Sequence, residues 1–262
     1  MIDIDDARAA ADLLLGHRAA GTRLAQLPER LRPRSRADGY AIQAQWLRQT
    51  RSPLFGWKIA ATSAAGQRHI NVDGPLAGRL FAEMVRDDGA TVSLTRNLMR
   101  VAEVELAFRF GTAVAARSAP YGVDEVMAAV ASLHPAIEIP DSRYEDFCAV
   151  GAAQLIADDA CANLVVVGPT VGAAWRDVDL ARHPVSAAVV GKSNHEGRGG
   201  NALGDPRIAL TWLVNELSGL GVTIDAGQCV ITGTCITPVN VVPGDRVRAH
   251  YGGLGELSVG FD

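Results

Sequence analysis

Hydrophobic and polar positions alternate most cleanly in VAEVELAFRF, Val101 to Phe110, which predicts a β-strand. Ala102, Val104, Leu106, Phe108 and Phe110 fall on one face, and Val101, Glu103, Glu105, Ala107 and Arg109 on the other. Period-3.6 patterning predicts helices over residues 3–20 (Ile4, Ala7, Ala11, Leu14, Leu15), from Ser35 (Tyr40, Ala44, Leu47), over 122–133, and over 205–220. Ser35 with Asp38 has the spacing of a capping box, and Asp205-Pro206 opens the last helix. Residues 162–170, 185–191, 228–234, 246–252 and 255–261 read as strands bounded by Gly, Pro and Asp. NVDGPLAGRLF (71–81) and GKSNHEGRGGNALGDP (191–206) read as loops.

Helices come first and a strand-rich body follows without regular βα alternation, so the expected class is α+β. The expected division is an N-terminal helical cap, 1–60, on a β-rich catalytic body, 61–262. A hydrophobic content of 48% and a net charge of −4 suit a globular chain and give no basis for nucleic-acid or anionic-membrane binding. No apolar run reaches bilayer length, and the acidic MIDIDDARAA is unlike a secretory n-region; the expected location is cytoplasmic. Cys148, Cys161, Cys229 and Cys235 lack metal-ligand spacing and read as reduced core residues.

The candidate chemistry lies in charges set within apolar runs. Glu103 and Glu105 share a strand face, and Glu138 interrupts PAIEI. Three carboxylates without a matched histidine or cysteine suit a hard divalent cation, Mg²⁺ or Mn²⁺. The competing explanation pairs each acid with Arg100, Arg109 or Arg143. Lys58 in GWKIAATS either snorkels outward or is held inside for a purpose. No GxSxG, HxH or HxxxH pattern is present.

Taken together, GYAIQAQW, GWKIAATS, VAEVELAF, PAIEIPDSRY, LGDPRIALTWLVNEL and AGQCVITGTCITPVNVVPGD with the closing LGELSVGF resemble the successive signatures of one family. It is the 2-keto-4-pentenoate hydratase / 4-oxalocrotonate decarboxylase family of the fumarylacetoacetate hydrolase superfamily. The resemblance implies a mixed β-roll, barrel-like body with N-terminal helices. It implies a divalent metal on Glu103, Glu105 and Glu138, Lys58 as acid/base with a lowered pKa, and substrate contacts from Ser63, Gln67, Thr234 and Thr237. The implied activity is a hydro-lyase on a 2-hydroxy-2,4-dienoate in aromatic-compound degradation. A 2-oxo-3-enedioate decarboxylase, an acylpyruvate hydrolase or a non-catalytic partner are the alternatives. A homo-oligomer is implied, as are complexes with a related pathway enzyme. Two places depart from the family pattern: Leu76 stands where many hydratases carry an acid, with Asp73 three residues earlier, and the usual Asn-Gly before the late glycine-rich loop is altered to Ser193-Asn194-His195. Arg68, Arg79 and Arg198 are candidate cations for the far end of a dicarboxylic substrate.

Overall fold

The computed structural model describes all 262 residues. The chain runs α1 (Ile4–Ala20), α2 (Arg36–Ala44), β1 (Leu54–Ala60), α3 (Ala64–His69), β2 (Leu76–Phe81), β3 (Val85–Arg86), β4 (Thr91–Val92) and β5 (Val101–Phe110). It continues through α4 (Val123–Ala129), β6 (Val130–Ile139), α5 (Gly151–Ala157), β7 (Leu164–Val167), β8 (Pro184–Val189), β9 (Ser193–Arg198) and α6 (Pro206–Gly219). It closes with β10 (Cys229–Thr234), β11 (Val239–Asn240), β12 (Arg246–His250) and β13 (Glu256–Phe261). No helix is long and apolar enough to cross a membrane.

Local chemistry sets the helix ends. The Asp3 carboxylate accepts from the Asp5 N–H, and Gly21 ends α1 in the left-handed region at φ 67°. Ser35 accepts from the Asp38 N–H, but the Asp38 carboxylate turns to the Ile2 and Arg34 amides instead of completing a capping box. The buried side of α2 carries Tyr40, Ile42 and Gln43, with Trp46 beyond it; the helix ends at Ala44, which leaves Leu47 exposed. Asp205 caps α6 as its sequence predicts.

An eight-stranded mixed sheet has the order β2-β1-β10-β5-β6-β7-β3, with β11 beside β5, and a five-stranded sheet runs β4-β13-β12-β8-β9. A large apolar core includes Trp57, Leu106, Phe108, Val247 and Phe261, drawn from both sheets. A smaller core joins α1 and Trp46 to Ala107, Ala136 and Ile231 of the large sheet.

Three segments differ from their sequence patterns. LAGRLF, within the expected loop, is β2, buried at all six positions and paired with β1. The expected 122–133 helix ends at Ala129, because Val130 and Leu133 continue as β6 against β5. Residues 193–198 of the second expected loop form β9, a polar strand on β8.

Candidate metal centre

The site is made by cross-strand register. On β5 and β6 Glu103 lies directly opposite Glu138, and Glu105 follows two residues along on the same face. Neighbouring β10 breaks register between Ile231 and Thr234, with Gly233 at φ 99°. This bulge aims the Gly233 N–H at Glu105 Oε2, 2.7 Å away. A Cβ on residue 233 would stand 2.1 Å from Thr62 Oγ1, so only glycine fits. Beyond β10, Lys58 of β1 is in register with Ile231 and hence with Ala107, on the face that carries the glutamates.

One carboxylate oxygen from each of Glu103, Glu105 and Glu138 lies within 4.8 Å of the others. Glu105 and Glu138 are fully buried and Glu103 is half-buried, so this is no wet strand face. Lys58, 2% exposed, sets Nζ 3.0 Å from Glu138 Oε1 and donates to the Ala160 carbonyl at 3.0 Å. It points inward and does not snorkel. None of the three arginines offered as partners reaches these acids. Arg143 pairs with Asp158, Arg109 donates to the Gly227 carbonyl and packs on Phe55, and Arg100 is exposed.

Burial raises all three carboxyls, most strongly Glu105, where Glu138 and Glu103 add repulsion. Glu138 is pushed up to about 7 by burial, against the pull of Lys58. Burial alone would lower the Lys58 ammonium, but Glu138 and Glu103 outweigh it and hold it above the usual lysine value. The expected lowering belongs to a lysine beside a bound cation; among the side chains alone the carboxylates hold it up. With all three carboxylates ionised, as a bound cation would hold them, they and the one ammonium carry −2 (−3 + 1), and Glu105 Oε1 and Glu138 Oε2 have no hydrogen-bond donor. Buried oxygens of this kind are expensive unless a cation or donor meets them. The donor set fits a hard divalent ion in both charge and ligand type.

The acceptor for Lys58 comes from an unusual turn. Asp159, Ala160 and Cys161 follow one another at φ 55°, 50° and 62°, all left-handed and none glycine. Each such residue is strained by about 1–2 kcal/mol. The Arg79 N–H holds the turn through Asp159 Oδ1 at 2.7 Å. Neither Gly233 nor the Ala160 carbonyl was a candidate on sequence, since main-chain donors and acceptors leave no side-chain pattern; the glycine of TGT was the one available hint.

The remaining candidates have other partners or none. Thr234 is in register with Glu105 but donates to the Ile236 carbonyl at 2.8 Å. Ser63 is the N-cap of α3, accepting from Gly66 N–H. Gln67 donates to the Ala61 carbonyl at 3.1 Å, and Thr237 is exposed with no partner in the chain. Leu76 is wholly buried on β2. Asp73 is exposed and pairs with Arg36, outside the site. Arg79 lies opposite Trp57, on the other face from Lys58, with its guanidinium 4.6 Å from that ring; Arg68 and Arg198 are exposed.

Comparison with known proteins places this arrangement. The chain is 33% identical over 259 residues to 2-keto-4-pentenoate hydratase 1 of Dechloromonas aromatica (strain RCB), covering 97% of this chain and 96% of the relative. It is 31% identical over 228 residues to a 4-oxalocrotonate decarboxylase of Pseudomonas putida, covering 86% and 85%. The solved 4-oxalocrotonate decarboxylase from Pseudomonas putida G7, complexed with magnesium and adipate, superposes with a TM-score of 0.90 at 25% identity over 100% of this chain and 99% of that one. The fold is thus the curled half-barrel sheet with flanking helices of that group, and these relatives carry the names of enzymes. Residues 39–261 match the profile described as fumarylacetoacetate (FAA) hydrolase C-terminal, and with that match spanning most of its length the chain belongs to the fumarylacetoacetate hydrolase family.

Proposed function

We propose that the protein is a divalent-metal-dependent hydratase that adds water to a 2-hydroxy-2,4-dienoate, through its 2-oxo-4-enoate form, to give a 4-hydroxy-2-oxo acid. One observation carries this reading: three buried, converging carboxyl groups with donor-less oxygens and a single lysine among them, a set that Mg²⁺ or Mn²⁺ would balance. Likeness to a 2-keto-4-pentenoate hydratase along nearly the whole chain supports the choice of reaction. A bound divalent ion supplies Lewis-acid stabilisation of negative charge on a 2-oxo group.

The chain's own groups do the rest. Glu103, Glu105 and Glu138 hold the ion, and the Gly233 N–H orients Glu105. Lys58 has three N–H donors; Ala160 and Glu138 engage two, which leaves one to exchange a proton with the substrate chain. Thr237 and Gln67 are assigned to substrate contact. Thr234 and Ser63, whose hydroxyls serve the backbone, shape the site around it.

The second reading is a 2-oxo-3-enedioate decarboxylase. It is favoured by Leu76, which puts a buried alkyl group where many hydratases have an acid, and by Asp73, which is drawn away to Arg36. The test is to incubate EDTA-stripped and Mg²⁺-reloaded protein with 2-hydroxypenta-2,4-dienoate and with 2-oxo-3-hexenedioate, following ultraviolet absorbance and CO₂. Metal-dependent loss of dienoate absorbance without CO₂ is expected. Release of CO₂ from the enedioate assigns the decarboxylase, and no reaction with either compound sinks both readings.

A further inference from the structure

On the side of the molecule where α1 ends, four arginines converge on a cavity of about 190 Å³. Arg18, Arg23, Arg96 and Arg143 line it, and Asp141 is the one carboxylate in its wall. Asp158 neutralises Arg143 from behind, and Asp141 Oδ2 pairs with Arg23 at 2.5 Å. Asp141 has little left to offer, because its other oxygen accepts from the Leu98 N–H at 2.8 Å.

Arg18 and Arg96 have no carboxylate within 4.0 Å. Arg18 lies 5.9 Å from the centre of the Trp46 ring, and its hydrogen-bond acceptors are only the Ala162 and Asn163 carbonyls, at 3.4 and 3.5 Å, which are long for hydrogen bonds. Arg96 donates to the Ala19 carbonyl at 2.7 Å, and Arg23 Nε is buried with no acceptor. Among the lining residues four guanidinium groups face the one carboxylate of Asp141, with Asp158, Asp159 and Glu83 acting on Arg18 from outside the lining. Burial, and then the charge of Arg143, lower the Arg18 guanidinium to about 10, against the pull of Asp159, Glu83 and Asp158. The lining is opposite in sign to that of the metal centre.

We propose that this cavity binds a compact oxyanion of the phosphate or sulfate type, at a site separate from the metal centre. The planar forks of several arginines suit an anion with oxygens in more than one direction. The volume falls below the roughly 300 Å³ at which pockets for drug-sized ligands begin, so a nucleotide is too large. Arg18 ends α1, whereas Arg96 belongs to the body, so the anion ties the first helix to the body it covers.

The test uses the full-length protein in EDTA and chloride buffer, so that phosphate has no bound metal to meet. Calorimetric titration with inorganic phosphate should show one saturable site per chain, and the melting temperature should rise with phosphate. Arg18→Leu and Arg96→Gln should each weaken binding about tenfold or more, the worth of one charge-assisted hydrogen bond. Arg18→Leu should melt no lower than wild type without phosphate, since it removes a poorly compensated charge. Glu105→Gln should bind phosphate as wild type does. Three results overturn the proposal: no saturable binding through the millimolar range, binding unchanged in both arginine variants, or phosphate uptake accompanied by a fall in solution mass. The last would mean that an acid of a second copy occupies the cavity.

Discussion

Two charge clusters are buried in this molecule, and they are built to opposite specifications. In one, Asp158 Oδ1 meets Arg143 Nε, while Oδ2 accepts from Ser142 Oγ at 2.7 Å and the Arg143 N–H at 2.9 Å. The remaining Arg143 donors reach the carbonyls of Asp141, Ala162 and Asp158, and the guanidinium lies over Trp46. In the other, three carboxylates share one lysine, and oxygens of Glu105 and Glu138 have no donor. Apart from the half-buried Glu103 the groups are all deeply buried, and the residue types are alike. The difference lies in completeness: a saturated network fixes structure, whereas an unsaturated one waits for something to bind.

The largest effect should come from breaking the saturated cluster. Asp158→Ala leaves Arg143 buried without its counter-ion and should cost about 3–5 kcal/mol in chemical denaturation. A loss within the error of such a titration would make the pair dispensable and erase the contrast. Glu105→Gln should do the reverse. Mn²⁺ affinity should fall by at least roughly 100-fold in calorimetry, while the unfolding midpoint in EDTA stays level or rises as like-charge repulsion is relieved. Undiminished Mn²⁺ binding would mean that the triad is wrong.

A smaller, pH-dependent effect belongs to Asp159, which sits between the clusters. Burial pushes its carboxyl up to about 7, above the roughly 3.9 of an unfolded aspartate. The folded form therefore keeps a proton that the unfolded chain has released. This stabilisation is complete below about pH 4 and is lost as pH rises toward 7. Asp159→Asn should flatten that slope, gaining on wild type by on the order of 2 kcal/mol at pH 8 and losing the advantage toward pH 4, as thermal melts across pH would record. Equal slopes in the two proteins would show that Asp159 does not titrate in this range. Smallest of all is Ser63→Ala, a capping loss of about 1 kcal/mol. If KM rises while stability holds, Ser63 contacts substrate; a melting shift alone leaves it a cap.

How much of this was legible in the sequence depended on whether a signal was local. Ser35, Asp205-Pro206 and the alternation of Val101–Phe110 act over a few residues and marked their elements well. Leu76–Phe81 was hidden because Gly74-Pro75 and Gly78 resemble loop punctuation. Gly78 is in fact there because a Cβ would come 2.4 Å from the Asp159 carbonyl. Val130 and Leu133 fit a helical stripe and a strand equally well, and pairing with β5 decided the matter. At the site, the acids and Lys58 stood out as charges in apolar runs. Their meeting depends on register across strands far apart in sequence, which no local pattern encodes.

The left-handed turn at Asp159–Cys161 has a consequence for how the site tolerates change. The atom that receives the Lys58 ammonium is a main-chain oxygen, so no side-chain replacement at Ala160 deletes it. Vulnerability shifts to the neighbours that permit the turn. A methyl group on Gly78 would meet both the Asp159 carbonyl and, at 3.0 Å, the Lys58 stem. Transplanting this lysine into another scaffold would therefore mean copying a backbone path, because its partner has no side chain to graft.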